Sequence, residues 1–517
     1  MDRQSLSISD KQGKSPVRLY SWYALGVLFL VYVLNFVDRQ IISILADDIK
    51  RDLALKDEDL GFLYGTAFGV FYALFGIPLG RLADRWRRVP LMAAGITLWS
   101  IMTMFSGLSQ RGSELFAARI GVGIGEATAS PTAYSLISDW FPKRLRATAL
   151  SIYSAGLYVG AGLSLFLGGY IAQQWEAHYQ AVPPLGLAGW QAAFVAVGLP
   201  GIVLAIWVMT LREPVREPAS DGESGLTLFV RELVNIIPPF TLIGAMARGA
   251  KGLAWNIASA VVIGCIVALL IGAGEAAPQW IAIGIGVYAL FSWASALRVN
   301  DPHTYALVVA SPAFLSIVAA YGFNTFLNYG ASFWAAPYAL RTFDVSRAEA
   351  GILVGTLGAI AGLLGVALGG IAADRLGRKQ MSGRLWTVIV GATVPPVAVI
   401  VAFTADSLLL FCVALFIAQA ASAAALGGAA AATQELVLPR MRGTATAAFL
   451  VGATLLGLAM GPYAAGRVST LSGDLATGVL ALTLIAPLTL AAAIAAFRLV
   501  PAAEARLAKE FAEQSTA

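Results

Sequence analysis

Charge, cysteine and histidine are all scarce in this 517-residue chain. Only 13% of its residues are charged against 58% hydrophobic, and the mean hydropathy is +0.74. That balance leaves too much apolar surface for a water-soluble fold and excludes that class. The two cysteines, Cys265 and Cys412, fall inside apolar runs and read as small core residues, which argues against a disulfide pair and against redox chemistry. The two histidines, His178 and His303, fall in predicted loops, and no His or Cys set has metal-ligand spacing, so no metal is expected. With no P-loop and no Gly-x-Ser-x-Gly elbow, the chain has no nucleotide-driven engine and no hydrolase nucleophile; neither a cofactor nor an enzyme activity is expected. The formal charge of +5 sits in short clusters beside apolar runs, without interleaved aromatics, which argues against nucleic acid as a partner.

What is present is a series of uninterrupted apolar runs of about 20 residues, the length that crosses a bilayer as a helix. Hydrocarbon offers backbone groups no water, and continuous apolar runs do not fit the alternating strands of a barrel, so the expected fold class is an all-α polytopic membrane protein. Helices are placed near 20–46, 60–82, 91–109, 113–140, 147–173 and 190–211, and again near 311–340, 348–373, 385–405, 407–437, 444–470 and 475–498. Residues 1–211 then form one six-helix bundle, 305–500 a second, and 501–517 a tail. The segment 212–304 starts as a polar linker and continues as an amphipathic helix from Leu226 to Gly252. It ends in two further apolar runs near 253–273 and 278–297, for about fourteen spans. Basic clusters at Lys11, Lys14 and Arg18, at Arg85, Arg87 and Arg88, at Lys143, Arg144 and Arg146, at Arg375, Arg378 and Lys379, and at Arg440 and Arg442 fall on one side. The positive-inside bias makes that side cytoplasmic, with both termini, and leaves the acidic loop Asp47 to Asp59 outside. Residues 1–18 read as a polar lead-in rather than a cleaved targeting peptide. Low lysine with abundant alanine and arginine points to a bacterial inner membrane, and a monomer among membrane lipids is expected.

One short charged motif occurs twice. Gly80-Arg81-Leu82-Ala83-Asp84-Arg85-Trp86-Arg87-Arg88 is echoed by Gly370-Ile371-Ala372-Ala373-Asp374-Arg375-Leu376-Gly377-Arg378-Lys379, each between two apolar runs. A second echo follows in the same order, Arg144-Leu145-Arg146-Ala147-Thr148-Ala149 with Arg440-Met441-Arg442-Gly443-Thr444-Ala445. The chain is a duplicated bundle, an arrangement that commonly serves transport. On these motifs it resembles the major facilitator superfamily over nearly its whole length except the inserted pair. The first copy departs in Trp86-Arg87 and the second lacks the Leu, but Asp and the following Arg are kept in both. The resemblance implies a cytoplasmic latch at Asp84, Arg85 and Arg88 with Arg146 as partner, and a counterpart at Asp374 and Arg375.

Charges inside predicted membrane helices are the sharper signal, because each Asp, Arg or Lys at mid-helix costs roughly 2.5 to 3.5 kcal/mol on insertion scales. The first helix holds Asn35-Phe36-Val37-Asp38-Arg39, and the fourth holds Arg119 and, seven residues on, Glu126. Seven residues are close to two turns, so both face the same way with about 10 Å of rise between them. Pairing of Asp38 with Arg119 and of Arg39 with Glu126 cancels the charge, and exchange between pairings makes proton occupancy follow conformation. Glu126, with Asp38, is the expected proton carrier. Aligning the two echoes sets Ser422 opposite Glu126 and Leu415 opposite Arg119, so only the first half keeps the charges. The seventh predicted helix adds Phe323, Asn324, Phe326, Asn328, Tyr329, Phe333 and Trp334, an aromatic and amide run suited to an amphipathic ligand. Gly121, Gly123 and Gly125 follow no strand and serve close helix packing rather than nucleotide binding.

The runs Leu34-Asn35-Phe36-Val37-Asp38-Arg39 and Gly121-Val122-Gly123-Ile124-Gly125-Glu126-Ala127 resemble the Spinster-like branch of that superfamily. This implies proton-linked movement of a sphingolipid-like or lysolipid-like amphiphile by alternating access, with Asp38, Arg39, Arg119 and Glu126 near its headgroup. The alternative is a proton-coupled exporter of drugs or small organic anions, although 160–169 lacks the Gly-Pro signature of drug antiporters.

Overall fold

The computed structural model describes residues 19–179, 183–214, 224–378, 380–438 and 441–516, with side chains at all of these except 84, 143, 147 and 508–516. The N-terminal cluster Lys11, Lys14 and Arg18 and most of the linker lie outside the described residues. Among those described there is no strand. The helices are α1 (Leu19–Ile44), α2 (Ala46–Asp52), α3 (Asp57–Gly61), α4 (Ala67–Arg85), α5 (Arg88–Leu108), α6 (Gly112–Glu126), α7 (Ala129–Trp140), α8 (Lys143–His178) and α9 (Gly189–Met209). After the linker come α10 (Gly225–Ile236), α11 (Thr241–Ala247), α12 (Ala250–Gly272), α13 (Ala277–Asn300) and α14 (Pro302–Val308). The chain ends with α15 (Pro312–Thr342), α16 (Arg347–Gly377), α17 (Trp386–Phe403), α18 (Leu408–Glu435), α19 (Arg442–Ala453), α20 (Gly461–Ser472), α21 (Leu475–Ala481) and α22 (Ala486–Thr516).

Among the described residues, twelve helices are long and apolar enough to cross a membrane, and up to fourteen if each of two bent pairs counts as one span. The fourth expected span is split at Ala127 into α6 and α7, neither of which reaches eighteen residues alone. Short π-helical turns, Phe62–Thr66 and Thr454–Leu458, join α3 to α4 and α19 to α20. Helices α1 to α9 pack mainly among themselves, α1 on α8, α9 on α5 and α5 on α6. Helices α15 to α22 do the same, α18 on both α16 and α17, α15 on α22.

The structure changes several local expectations. The acidic stretch after α1 is mostly helical rather than a loop, because Asp47 and Asp48 sit in the first turn of α2, and Asp57, Glu58 and Asp59 in that of α3, where carboxylates favour the helix dipole. His178 and His303 belong to the ends of α8 and α14 rather than to loops. Cys265 is exposed rather than a core residue, since α12 turns nearly all of its apolar surface outward, toward where lipid would lie. The expected amphipathic helix breaks at Pro238-Pro239 into α10 and α11, bent by 99°, and the Ser224 hydroxyl caps its start by accepting from the Thr227 amide at 3.1 Å.

Two seams join the halves. In the first, α8 meets α16 through small residues; a Cβ on Gly355 would stand 2.5 Å from the Gly162 carbonyl oxygen. In the second, α3 and α4 meet α19 and α20; a Cβ on Gly65 would lie 2.5 Å from the Leu458 carbonyl oxygen. The last close approach along α8 and α16 toward the end carrying the motif loops, here the basic face, is Tyr158 against Gly362, and Gly370 finds nothing within 4 Å of a Cβ. The glycine contacts of this seam therefore cluster toward the far face and stop short of the basic one. Gly355→Val drives a side chain into a backbone that has no room to yield, so the expected cost is about 1–3 kcal/mol. Thermal unfolding in detergent should show a midpoint lowered by several degrees.

Candidate functional site

Glycines bring the charged helices together. A Cβ on Gly123 would lie 2.6 Å from the Phe68 carbonyl oxygen, and one on Gly125 2.8 Å from the Trp99 amide nitrogen, so α6 packs backbone to backbone on α4 and α5. This delivers Glu126 to α1. There the Arg39 guanidinium donates to one Glu126 oxygen from Nη2 at 2.7 Å and from Nε at 3.2 Å. Both residues are buried. The guanidinium also lies over three rings, Phe68 at 4.4 Å, Phe36 at 4.5 Å and Tyr72 at 5.0 Å from the centroids. A desolvated cation gains about 2 kcal/mol from such a face, so the rings help hold Arg39 where water does not reach.

Asp38 and Arg119 are as deeply buried but differently paired. Arg119 Nη1 donates to the Asp38 backbone oxygen at 3.3 Å, and its guanidinium lies 5.4 Å from the Phe68 centroid. Among the described residues, the Asp38 carboxylate oxygens, Arg119 Nε and Nη2, Glu126 Oε1 and Asn35 Nδ2 have no hydrogen-bond partner. The expected side-chain pair between Asp38 and Arg119 is thus replaced by a contact to backbone. Unsatisfied charge in a low-dielectric interior is expensive, and three charged residues with unpartnered atoms, Asp38, Arg119 and Glu126, sit together beside the Arg39 guanidinium.

Beside this cluster lies a chamber of about 170 Å³ between the halves. Phe36 and Gln40 of α1 and Tyr158 of α8 line one wall; Asn328 and Tyr329 of α15 and Gln419 of α18 line the other. Phe36 therefore touches both the chamber and the Arg39 guanidinium. Of the residues singled out on α15, Asn328 and Tyr329 line the chamber and the others do not. Asn324 donates to the Ser422 carbonyl at 3.2 Å, packing α15 on α18. Trp334 is fully buried and donates from Nε1 to the Pro462 carbonyl at 2.9 Å, packing α15 on α20. Phe323 is half-buried away from the chamber lining.

Sequence reasoning missed a set of ion pairs across the far face. Arg341 at the end of α15 binds Asp47 at 2.5 Å and Asp57 at 2.9 Å, and Arg347 at the start of α16 binds Asp48 and Glu176, each at 2.6 Å. Arg467 of α20 binds Glu58 at 2.8 Å. Burial holds the Asp48 carboxyl above the usual range while Arg347 draws it back. Every one of these contacts joins the first half to the second. The signal was the acidic stretch 47–59 set against arginines near helix ends of the other half.

At the basic face Arg88 of the first motif binds within its own half. Arg88 is fully buried; its Nε donates to Glu213 at 2.9 Å and its Nη1 to Asp139 at 2.5 Å and Ser135 at 3.0 Å. It clasps α5, α7 and the segment after α9, and none of these contacts crosses to the other half. Arg146 donates to the Phe141 carbonyl at 3.0 Å. Arg85 is half-buried, with its Cβ 3.3 Å from where a Cβ on Gly225 would be, at the start of α10. Asp374 and Arg375 are exposed, and the Asp84 side chain lies outside the described residues. Arg88→Ala removes the buried cation that the partly exposed Glu213 and Asp139 share and should cost about 1–3 kcal/mol. A monodisperse, folded yield close to the parent protein would contradict this.

The family model described as Major Facilitator Superfamily matches residues 28–334, more than half of the chain. An "MFS-type efflux pump" of Mycolicibacterium smegmatis is 29% identical over 478 residues, covering 92% of this chain and 91% of that protein. "Protein spinster" of Drosophila melanogaster is 32% identical over 203 residues, covering 39% of this chain and 31% of that protein. Among solved structures, a bacterial homolog to the human lysosomal transporter Spinster is similar in two inward-facing states. The unoccupied state has a TM-score of 0.69 at 25% identity, covering 95% of this chain and 99% of that one. The occupied state has a TM-score of 0.65 at 27% identity and 95% coverage of both.

Proposed function

Because the chain belongs to the Major Facilitator Superfamily and is a multi-pass membrane transporter, we propose that it couples proton movement to the transport of a sphingolipid-like or lysolipid-like amphiphile by alternating access. The observation that carries the coupling is the buried Arg39–Glu126 pair beside an Asp38 carboxylate and an Arg119 guanidinium whose side chains do not pair with each other. Moving α1 relative to α6 can exchange Glu126 for Asp38 as the partner of an arginine, and the carboxylate released takes up a proton. Proton occupancy then reports which way the halves lean. The substrate class is supported by the chamber, whose wall mixes aromatic rings with the amides of Gln40, Asn328 and Gln419, and by likeness to proteins whose names carry Spinster.

In this reading residues 1–211 and 305–500 are the rocking bundles, 212–304 an insertion and 501–517 a tail. The basic face is cytoplasmic with both termini, the protein sits as a monomer in a bacterial inner membrane, and the structure is an inward-leaning state closed at the far face. Asp84, Arg85, Asp374 and Arg375 stand at the motif loops as parts of a cytoplasmic latch, with Arg88 and Arg146 bracing the first bundle. A second reading, export of drugs or small organic anions, is favoured by the full-length likeness to a protein named as an efflux pump. Reconstituted vesicles tested with lysolipids, sphingoid phosphates and cationic dyes, each with and without a proton gradient, separate the two. Saturable, gradient-driven flux of the lipids is the expected outcome; flux confined to the dyes would overturn the lipid reading.

A further inference from the structure

The inserted helix α13 has a face that neither bundle needs for its own packing. Six of its nine buried residues, Gln279, Ala282, Gly286, Ala289, Trp293 and Ala296, recur at alternating steps of three and four, a stripe along the whole helix. Such a stripe commits one side to a continuous groove. That groove is the second seam, and α13 touches both halves at each depth.

At the far face, in the turn before α13, Glu275 accepts from Arg467 Nη2 at 3.4 Å and from the Tyr463 hydroxyl at 3.3 Å, while Arg467 also holds Glu58 of α3. One turn in, the fully buried Gln279 accepts from the Thr66 hydroxyl at 2.6 Å and donates to Met460 Sδ at 3.6 Å. At mid-depth a Cβ on Gly286 would lie 3.2 Å from Leu455 and 3.3 Å from Val70, one from each half. Toward the basic face Ala289 and Trp293 enter an apolar cluster with Val70, Ala73, Leu74 and Ile77 of α4, Val451 of α19 and Leu455 of the following π-helical turn. Beyond it a cavity of about 370 Å³ is bounded by Arg81, Glu232, Trp293 and Thr444. Arg81 and Glu232 approach to 4.0 Å, tying α10 across the end of α4.

The other seam is built differently. The α8 and α16 glycine contacts run from the far face to Tyr158 and Gly362 and stop there, and the chamber lies directly behind them, lined by Leu157 and Ala359. Among the described residues the insertion covers only the α4/α19 side.

We infer that α12 and α13 form a strap that closes the α4/α19 seam to bilayer lipid, so that the chamber exchanges with the membrane on the α8/α16 side alone. The strap follows from packing and is independent of the cargo; that this side is the substrate's entrance rests on the lipid reading above. Trp293 is the bolt, since it is the largest side chain that α13 adds to the apolar cluster holding Ile77 of one half and Val451 of the other. The anchors are polar toward the far face and apolar from mid-depth to the basic face.

The test uses the full chain in phosphatidylcholine vesicles that contain a phosphatidylcholine carrying a photoreactive diazirine in its acyl chain, with labelled residues mapped by peptide mass spectrometry. In the parent protein, label at Leu157 and Ala359 should exceed label at Ile77 and Val451 by about tenfold or more. In Trp293→Ala, Ile77 and Val451 should gain label. Equal labelling of the two seams in the parent protein, or no label at either, overturns the inference. The parent comparison decides even if the variant does not fold. Competition by lysophosphatidylcholine at Leu157 and Ala359 is read separately: its absence contradicts the lipid cargo and leaves the seam asymmetry standing.

Discussion

Glu126→Gln should abolish uptake or efflux driven by a pH gradient and spare exchange of substrate across vesicles that carry no gradient. The amide keeps the shape and one acceptor of the carboxylate, so the Arg39 guanidinium retains a hydrogen bond and the faces of Phe36, Phe68 and Tyr72. The folded state survives, although a buried arginine without its counter-charge lowers its stability by a few kcal/mol at most when cation and ring contacts remain. On the proposed mechanism, what disappears is the group that takes up and releases the proton. Gradient-driven flux should fall to the level of empty vesicles, a loss of about a hundredfold or more, because a coupled carrier without its proton site has no alternative drive. Monodispersity and thermal midpoint in detergent establish folding; flux with and without an imposed gradient establishes coupling. A variant with unchanged gradient dependence removes Glu126 from the proton role and passes it to Asp38, whose Asp38→Asn variant is then the next to measure.

Neutralising Arg341 should have the second largest effect, on conformation rather than on drive. Its guanidinium holds Asp47 and the buried Asp57 on the first half, and Asp57 further accepts from Lys50 at 2.7 Å and Ser469 at 2.7 Å. Arg341→Gln removes the bidentate clamp and leaves Asp57 with a single cation. A partly exposed network of this kind is worth on the order of 1–3 kcal/mol to the closed far face, enough to move a two-state balance by five- to a hundredfold. Spin labels at Ala54 and Leu471, one on each half at the far face, should report one short distance in the parent protein. In the variant a second, longer distance should appear. An unchanged distance distribution would mean that the apolar glycine seams alone hold this face shut and that the ion pairs are incidental.

Much of the fold was legible because the bilayer restricts the choices. Hydrocarbon forces backbone pairing within each segment, so runs of apolar residues gave most helix positions to within a few residues, including the inserted pair, although α22 continues to Thr516 through the stretch 501–517 that was expected to be a tail. The Arg39–Glu126 contact was legible for the same reason, since a charge inside a membrane helix must find a partner and the seven-residue spacing of Arg119 and Glu126 put both on the face toward α1. Side-chain detail was not. Arg119 turned to the Asp38 carbonyl instead of its carboxylate, a choice set by backbone position that spacing does not encode. Charges near helix ends cost little in sequence and carry no mark of importance, which hid the pairing of Arg341, Arg347 and Arg467 with the stretch 47–59 until the halves were seen to meet there. The aromatic run on α15 misled in part, because a helix facing both a chamber and its own bundle spreads its rings over both. Asn328 and Tyr329 reach the cavity while Asn324 and Trp334 are spent on packing. The α13 stripe was present in the sequence, but a membrane helix is apolar all round, and only the small and polar residues at steps of three and four distinguish the side that packs.

The central claim is that Glu126 carries a proton whose occupancy changes with the state of the transporter. Proton release or uptake on ligand binding tests it most directly, measured with a pH-indicator dye on the purified protein in weakly buffered detergent as a lysolipid is added. The account predicts a saturable proton change in the parent protein and none in Glu126→Gln, while both still bind the lysolipid. Equal proton changes in the two, with equal binding, would contradict it.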